Sequence, residues 1–200
     1  MPELIARTFA ATQWVPPGRF PVAAPTLSID ELPLAGIIRI QSRTDEPAWT
    51  ARLAAAAGIA VLPASGRCTV DAQTERLMAW SAPWEWLHFF PLDEETHRLE
   101  AFERICDGSL AASTLISDSR VGFRASGTGA PALLAKGTAL NLDTDAFPPG
   151  SAATTRFAGL AAMIVHRLPG EYLIYFDIAY SEFVMRWWLD AADEFLATPR

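Results

Sequence analysis

Cysteine and lysine are scarce in this 200-residue sequence, and both scarcities are informative. The two cysteines, Cys68 and Cys106, are too few for a disulfide framework and lack the spacing of a metal site. Lys136 is the single lysine among sixteen basic residues, a bias that we attribute to genome composition rather than to function. The sequence therefore excludes a disulfide scaffold and a cysteine-based metal site.

Positive charge and long apolar runs are also missing. The formal net charge is −7, so the chain lacks the basic surface that neutralises phosphates, and we expect no nucleic-acid partner. Apolar runs such as Ala158–Val165 are far shorter than the roughly 20 residues of a membrane helix. Pro2, Glu3 and Arg7 interrupt any signal peptide at the start. We therefore expect a cytoplasmic protein that does not enter the membrane.

The usual signatures of catalysis are absent as well. The sequence contains neither a Gly-x-Ser-x-Gly elbow nor a phosphate-binding Gly-x-x-x-x-Gly-Lys loop. Gly127-Thr128-Gly129 resembles the start of a dinucleotide loop, but the third glycine is missing and Pro131 follows. Asp118 and Arg120 could form an acid–base or ion pair; we favour the alternative that the Ser and Asp side chains of this segment stabilise a turn or strand bend. The histidines are expected on the surface or packed within strands: His88, His97 and His166. We predict no catalytic, cofactor-binding or metal-binding residue.

Aromatic residues, by contrast, are abundant, with seven tryptophans and eleven phenylalanines. Trp84 and Trp86 would share one face of a strand, because side chains two residues apart point the same way. Trp187 and Trp188 are neighbours on a predicted helix, about 100° apart around its axis. Two interpretations stay open: ordinary core packing, or an apolar surface covered by another subunit. The candidate partner-interface residues are Trp84, Trp86, Trp187 and Trp188.

Strands and helices alternate along the sequence without the regular rhythm of a parallel sheet. Helices are predicted over residues 47–57, 93–106, 130–135 and 181–196. Strands are predicted over residues 36–41, 67–72, 76–81, 84–90, 114–116, 121–125, 153–167 and 171–176. The strand over 153–167 is expected to bend at Gly159. Hairpin-like strand pairs mixed with single helices indicate an α+β fold of mainly antiparallel sheets with flanking helices.

Six prolines fall within the first 33 residues. Each proline removes a backbone donor and fixes φ, so we predict an extended, mostly irregular lead-in arm over residues 1–33. Such an arm either lies on another subunit or is a flexible terminus. Residues 34–200 are predicted to form a single α+β domain, with two closely packed lobes as the alternative.

Four segments of the sequence, taken in order, form a recognisable set. The first is Trp84-Glu85-Trp86-Leu87, and the second runs from Ser117-Asp118-Ser119-Arg120 to Gly127. The third joins Leu134-Ala135-Lys136-Gly137 to Phe147-Pro148-Pro149-Gly150, and the fourth runs from Leu173 to Trp188. Together these segments resemble the sarcosine oxidase gamma-subunit family. Thr138 stands where iron–sulfur-repair relatives of the wider superfamily have the cysteine of a Lys-Gly-Cys motif. That residue argues against the repair assignment.

The resemblance implies a fold similar to the N-terminal part of the glycine-cleavage T-protein, a folate-binding superfamily. It also implies a non-catalytic gamma subunit of a heterotetrameric sarcosine oxidase, with alpha, beta and delta-like subunits as partners. FAD, FMN, NAD and tetrahydrofolate would then be bound by the other subunits and none by this chain. The chain by itself would not be an enzyme, although the complex would be an oxidoreductase.

Two alternatives to the gamma-subunit interpretation remain at this stage. The first is a stand-alone folate-binding or one-carbon transfer protein with the same fold. The second is a homo-oligomer in which a second copy covers the apolar surface. The amine substrate and the stoichiometry of the complex do not follow from the sequence.

Overall fold

A computed structural model describes residues 10–71 and 76–196, which contain five helices and eleven strands. The helices are α1 (Ala10–Trp14), α2 (Pro47–Ala57), α3 (Glu95–Cys106), α4 (Ala130–Ala135) and α5 (Ser181–Leu196). The strands are β1 (Val22–Ala24), β2 (Leu27–Glu31), β3 (Ala35–Ser42), β4 (Cys68–Val70), β5 (Leu77–Ala82), β6 (Glu85–Pro91), β7 (Ala111–Leu115), β8 (Arg120–Ser126), β9 (Ser151–Phe157), β10 (Leu160–Leu168) and β11 (Glu171–Asp177). Within the described ranges, no helix is both long and apolar enough to cross a membrane.

The chain divides into two compact units, and neither is continuous in sequence. The five-stranded unit comprises Ala35–Asp118 and Gly150–Thr154. The six-stranded unit takes the described parts of the remaining three segments: Met1–Leu34, Ser119–Pro149 and Thr155–Arg200. Residues 35–118 are therefore inserted between β2 and β8, which are neighbouring, hydrogen-bonded strands of the six-stranded sheet.

The five-stranded unit is an antiparallel sheet in the order β4-β5-β6-β3-β7, with α2 and α3 contributing to its core. Pro47 starts α2, where its missing N–H costs nothing, and Gly58 ends it in a left-handed conformation with φ of 73°. Trp49 and Leu53 lie four residues apart on α2, so they share the face that packs on the sheet. One core cluster of this unit consists of fully or almost fully buried residues: Ile38, Ile40, Trp49, Leu53, Ala57, Met78, Phe90 and Phe102.

The six-stranded unit is a sheet in the order β1-β2-β8-β11-β10-β9, together with α5. Strand β11 pairs antiparallel with β8 and with β10, and its run Tyr172–Phe176 is buried throughout. On α5, Val184, Trp188 and Ala192 recur every four residues and are buried, as expected for one apolar helix face. The Trp188 indole contacts the rings of Phe123, Phe157 and Phe176 at centroid distances of 5.8, 5.3 and 6.4 Å.

The structure confirms the α+β class and most of the predicted elements. Helices α2, α4 and α5 have the predicted bounds, and β3, β5, β6, β8 and β11 lie where strands were predicted. These segments combine a clear period with a recognisable first or last residue. The helix predicted over residues 93–106 begins instead at Glu95, after a short 3₁₀ turn over Leu92–Glu94.

The predicted lead-in arm over residues 1–33 differs most from the structure. Residues 1–9 lie outside the described residues, but β1 and β2 form a hairpin, and β2 pairs with β8 inside the sheet. Pro21 and Pro25 lie just outside β1, so they limit the strand instead of excluding it. A boundary between the two units does lie at residue 34, but residues 10–34 belong to the six-stranded unit and are not a separate arm.

The long strand predicted over 153–167 is in fact the β9–β10 hairpin. Ala158 and Gly159 form its two-residue turn, with φ of 51° and 85°. Positive φ at both central residues is typical of the tight turns that join antiparallel strands. Alanine rarely adopts this conformation, so Ala158 carried no turn signal in the sequence.

Candidate functional site

An open apolar groove of about 450 Å³ lies on the five-stranded unit, and two of the predicted tryptophans line it. Its lining comes from the segment before α2, from α2 itself, from the following loop and from the β5–β6 turn: Thr44, Asp45, Thr50, Ala51, Ala54, Ala60, Val61, Leu62, Pro63, Ala64, Trp84 and Trp86. A volume of this size is within the range of small-molecule sites, and it also suits a few side chains of a partner protein.

Trp84 is held at the groove by a strained turn. It does not belong to the strand, as the sequence had predicted, but occupies the two-residue β5–β6 turn with Pro83. Its φ is 64°, an unusual value for a bulky residue, and its carbonyl accepts a hydrogen bond from the Ser42 N–H at 2.9 Å. Its side chain is 42% exposed. Strain of this kind persists only where the surrounding structure fixes it.

Trp86 forms a fixed part of the same groove. Its indole Nε1 donates a hydrogen bond to the Pro63 carbonyl at 2.9 Å, so the ring is anchored to the loop after α2. Glu85, which lies between the two tryptophans, accepts hydrogen bonds from Ser81 Oγ at 2.7 Å and Gln41 Nε2 at 2.9 Å. Glu85 is not among the lining residues. Both tryptophans therefore line one groove, but they do not share a strand face, because only Trp86 belongs to a strand.

The groove offers contact surface without reactive groups. Asp45 is the one ionisable side chain among the lining residues described, and no histidine, cysteine or lysine joins it. Neither a nucleophile with a base nor a metal-ligand set can be assembled from these residues. Among residues 10–71 and 76–196, no cluster of three or more metal-ligating side chains occurs.

The second pair of predicted tryptophans differs in burial, although the two rings are in edge-on contact at 5.1 Å between centroids. Trp188 is fully buried within the six-stranded unit, so the prediction that it meets a partner is wrong. Trp187 is half-buried and packs edge-on against Phe157 at 4.7 Å between ring centroids. The exposed apolar residues near the start of α5 are others, which the sequence had not indicated as a group: Ile178, Tyr180 and Phe183, each between 46% and 48% exposed.

Two residues that lie in or beside the segments carrying the family resemblance have structural roles. Lys136 Nζ donates to the Ala191 carbonyl at 2.7 Å and pairs with Glu194 at 2.8 Å, which ties α4 to the end of α5. His166 is buried, stacks on Tyr172 at 4.3 Å, and places Nδ1 at 2.6 Å from the Phe147 carbonyl. With Nδ1 protonated, His166 anchors the turn that begins at Phe147.

Other polar candidates are also accounted for by structure. The Ser117 hydroxyl accepts from the Ile37 N–H at 2.9 Å and donates to Glu95, so the polar segment before β8 is a fixed turn. At Gly127, with φ of 108°, a side chain would come within 2.3 Å of the Thr26 carbonyl oxygen. The glycine there serves a close backbone approach.

Both cysteines are unreactive by environment. They form no disulfide, and burial raises the pKa of Cys68 to about 11, although Arg67 opposes the shift. Burial is also the main cause of the raised pKa of Cys106. A thiol needs a lowered pKa to act as a nucleophile at neutral pH, so neither residue has the setting of a catalytic cysteine.

Comparison with known families decides the affiliation of the chain. The profile of the family described as "Sarcosine oxidase, gamma subunit family" matches residues 41–194, which is more than half of the sequence. This chain belongs to the sarcosine oxidase gamma-subunit family. No curated protein sequence matches it significantly.

Solved structures agree with the family at the level of fold. A chain of heterotetrameric sarcosine oxidase from Corynebacterium sp. U-96 is similar at a TM-score of 0.83 and 20% identity, with 98% of each chain covered. Glycine cleavage system aminomethyltransferase T from Bartonella henselae is similar at a TM-score of 0.62 and 12% identity. That match covers 86% of this chain and 47% of the other, so the gamma-family chain spans about half of the aminomethyltransferase.

Thr138 has a local structural role. Its Oγ1 accepts the Leu140 N–H at 3.2 Å, which stabilises the turn after Gly137. The argument from Thr138 against a repair function stays a prediction from the sequence.

Proposed function

We propose that this chain is the non-catalytic gamma subunit of a heterotetrameric sarcosine oxidase-like complex and that it stabilises the large alpha subunit. One observation carries the proposal: a member of the gamma family presents a groove with two indoles and no reactive group. An aromatic surface of this kind is suited to protein contact, because tryptophans contribute strongly at the centre of interfaces.

The proposal assigns the chemistry to the other subunits. Alpha, beta and delta-like partners would bind FAD, FMN, NAD and tetrahydrofolate, and the complex would demethylate sarcosine oxidatively. The raised thiol pKa values and the buried histidines of this chain are consistent with that division. The cytoplasmic location stays a prediction.

The groove is the surface that we assign to the alpha subunit. Its walls are apolar and Asp45 lies at its lining, so an apolar partner segment with one basic side chain fits it best. Trp84 is half-exposed in the free chain and would be covered in the complex.

Purification of the native complex through an affinity tag on this chain tests the proposal. The expected result is co-purification of flavin-containing subunits with sarcosine-dependent oxygen consumption. Trp84→Ala should weaken the complex by about 30-fold or more if the indole is an interface hot spot. Leu168→Ala, which removes a similarly exposed apolar residue from the other unit, serves as the control. A tagged chain that purifies alone at micromolar concentration would contradict the proposal.

A stand-alone folate-binding function is the second candidate, and the size of the groove favours it. A groove of about 450 Å³ with two indoles has room for a pterin. Titration of the isolated chain with tetrahydrofolate would then quench tryptophan fluorescence saturably, and Trp86→Phe would reduce the quenching. Absence of saturable quenching removes this candidate.

A further inference from the structure

Strand β7 forms one edge of the five-stranded sheet, and its backbone geometry leaves hydrogen-bonding groups directed outwards. The Arg43 N–H donates to the Leu110 carbonyl and the Ile116 N–H donates to the Ile37 carbonyl, both at 2.8 Å. In an antiparallel pair, the residues that bond the neighbouring strand alternate along the chain. Residues 110, 112, 114 and 116 therefore bond β3, whereas Ala111, Ser113 and Leu115 direct their N–H and C=O groups away from it.

No described residue meets these outward groups. Strand β7 is the last strand of its sheet, and no hydrogen bond among residues 10–71 and 76–196 reaches the backbone of Ala111, Ser113 or Leu115. Helix α3 packs on one face of β7, and the Ser113 Oγ on this strand is buried without a hydrogen-bond partner among the described residues. The flanking apolar side chains are open, with Leu110 75% exposed and Leu115 37% exposed.

The β7 edge also lacks the protection found at the other sheet edges. Natural proteins block edges with prolines, charges, bulges or very short strands. Strand β1 has three residues and prolines on both sides, and β4 has three residues. Strand β9 carries Arg156. Strand β7, in contrast, has five residues without charge, proline or register shift, and Asp107 and Asp118 are the nearest charged residues along the chain.

We propose that the β7 edge accepts an extended segment of the large partner subunit as a sixth strand of the sheet. This inference rests on the proposed function and adds where and how the partner docks. The recognised chemistry is an extended, uncharged segment that offers alternating N–H and C=O groups to Ala111, Ser113 and Leu115. Apolar side chains on that segment would cover Leu110 and Leu115.

The size of the edge decides between a partner subunit and a second copy of this chain. A five-residue strand pair buries far less than the roughly 1,200 Å² of a stable interface. Two copies joined only through β7 would therefore associate weakly, and each carries a formal net charge of −7. A partner subunit that also covers other surface, such as the Trp84–Trp86 groove, would add the strand pairing to a larger buried area.

A proline substitution tests the edge without breaking the sheet. Ser113→Pro removes an outward donor, and the bonds between β7 and β3 keep their donors because Ser113 does not take part in them. Ser113→Ala loses the same hydroxyl but keeps the N–H, so it is the matched control. In the native complex, Ser113→Pro should weaken the association by about tenfold or more, and Ser113→Ala should bind like wild type. Unfolding curves of both variants verify that the isolated chains fold.

Residue-resolved hydrogen exchange gives a readout that does not depend on a variant. The amides of Ala111, Ser113 and Leu115 should exchange quickly in the isolated chain and slowly in the complex. The amides of Ala112 and Thr114 should be slow in both, because they bond β3.

The outcomes separate the two proposals. If the tagged chain assembles with no flavin-containing subunit, the proposed function fails and the edge inference fails with it. If the complex forms but Ser113→Pro binds like Ser113→Ala, or the three amides stay fast, only the edge inference is overturned. Protection that appears in the isolated chain as its concentration rises would assign the edge to a second copy and overturn the partner assignment.

Discussion

Acid should destabilise the five-stranded unit through His88. The imidazole is fully buried in β6, with its ring 5.2 Å from that of Phe90 and 5.5 Å from that of Phe102. Burial lowers the pKa of His88 from 6.5 to about 4, and the nearby Arg98 and Arg76 cations contribute, whereas the Leu77 backbone and Glu94 oppose the shift. The protonated ring is therefore disfavoured in the folded chain.

The sign and size of the effect follow from this pKa difference. Because the folded pKa is below the unfolded one, the stabilisation is fully present above about pH 6.5 and declines as the pH falls towards 4. At about 1.4 kcal/mol per pKa unit, the difference between 6.5 and about 4 limits the loss to about 3.4 kcal/mol. Roughly 2.5 kcal/mol of it should be lost by about pH 4.5, a large share of a typical domain stability of about 5–15 kcal/mol.

Urea unfolding of wild type and His88→Leu, measured from about pH 7.5 down to about pH 4.5, checks this prediction. Leucine cannot be protonated, so the free energy of unfolding of the variant should fall less steeply with acid. Hydrogen bonds from Arg76 and Arg98 lower the pKa of Glu94, so protonation of Glu94 in acid also reduces the stability of the fold. This loss occurs in both wild type and the variant. The difference between the two proteins should change by about 2.5 kcal/mol. If the free energies of unfolding of the two proteins fell in parallel with pH, the argument that the buried neutral imidazole of His88 causes the loss of stability would be refuted.

Three further predictions follow from burial and backbone geometry. Trp188→Ala should lower the free energy of unfolding by about 3–5 kcal/mol and Trp84→Ala by about 1 kcal/mol or less, because only Trp188 is sealed in a core; equal costs in urea unfolding would contradict that assignment. Gly127→Ala should lower the melting temperature clearly more than Gly159→Ala. Both glycines have positive φ, but only at Gly127 would the added Cβ lie 2.3 Å from a backbone oxygen. Cys68 should react slowly with a thiol reagent near neutral pH and faster in denaturant, because its pKa is raised to about 11 in the folded chain; immediate labelling of the native chain would disprove it.

The sequence predicted those elements whose signals are local. Pro47 and Gly58 define both ends of α2, and the period of buried residues on α5 predicted its bounds over Ser181–Leu196. Strand β6 was predicted from its aromatic residues, but its first residue was misplaced, because Trp84 in a left-handed turn has no signature in the sequence.

The remaining differences arise from interactions that are distant in sequence. Strand β2 was missed because its partner β8 lies far along the chain, and a run such as Leu27–Glu31 flanked by prolines looks irregular alone. Glu31 illustrates the same point, since its carboxylate accepts the N–H groups of Ala10 and Ala11 at 2.8 and 2.9 Å. On α5, Trp188 is buried and Phe183 is exposed. Which of the two is buried depends on the sheet beneath the helix.

The insertion of residues 35–118 between β2 and β8 has a consequence for biosynthesis. When β2 leaves the ribosome, its hairpin partner β1 is already present but its other neighbour β8 has not yet been made, and β10 and β11 follow later still. Most of the five-stranded unit is translated during that interval and can become compact first, whereas the six-stranded sheet depends on contacts that close over long chain separations. A truncated chain that stops before β8 would leave one edge of β2 without its hydrogen-bonded neighbour, and an open strand edge is a known route to aggregation.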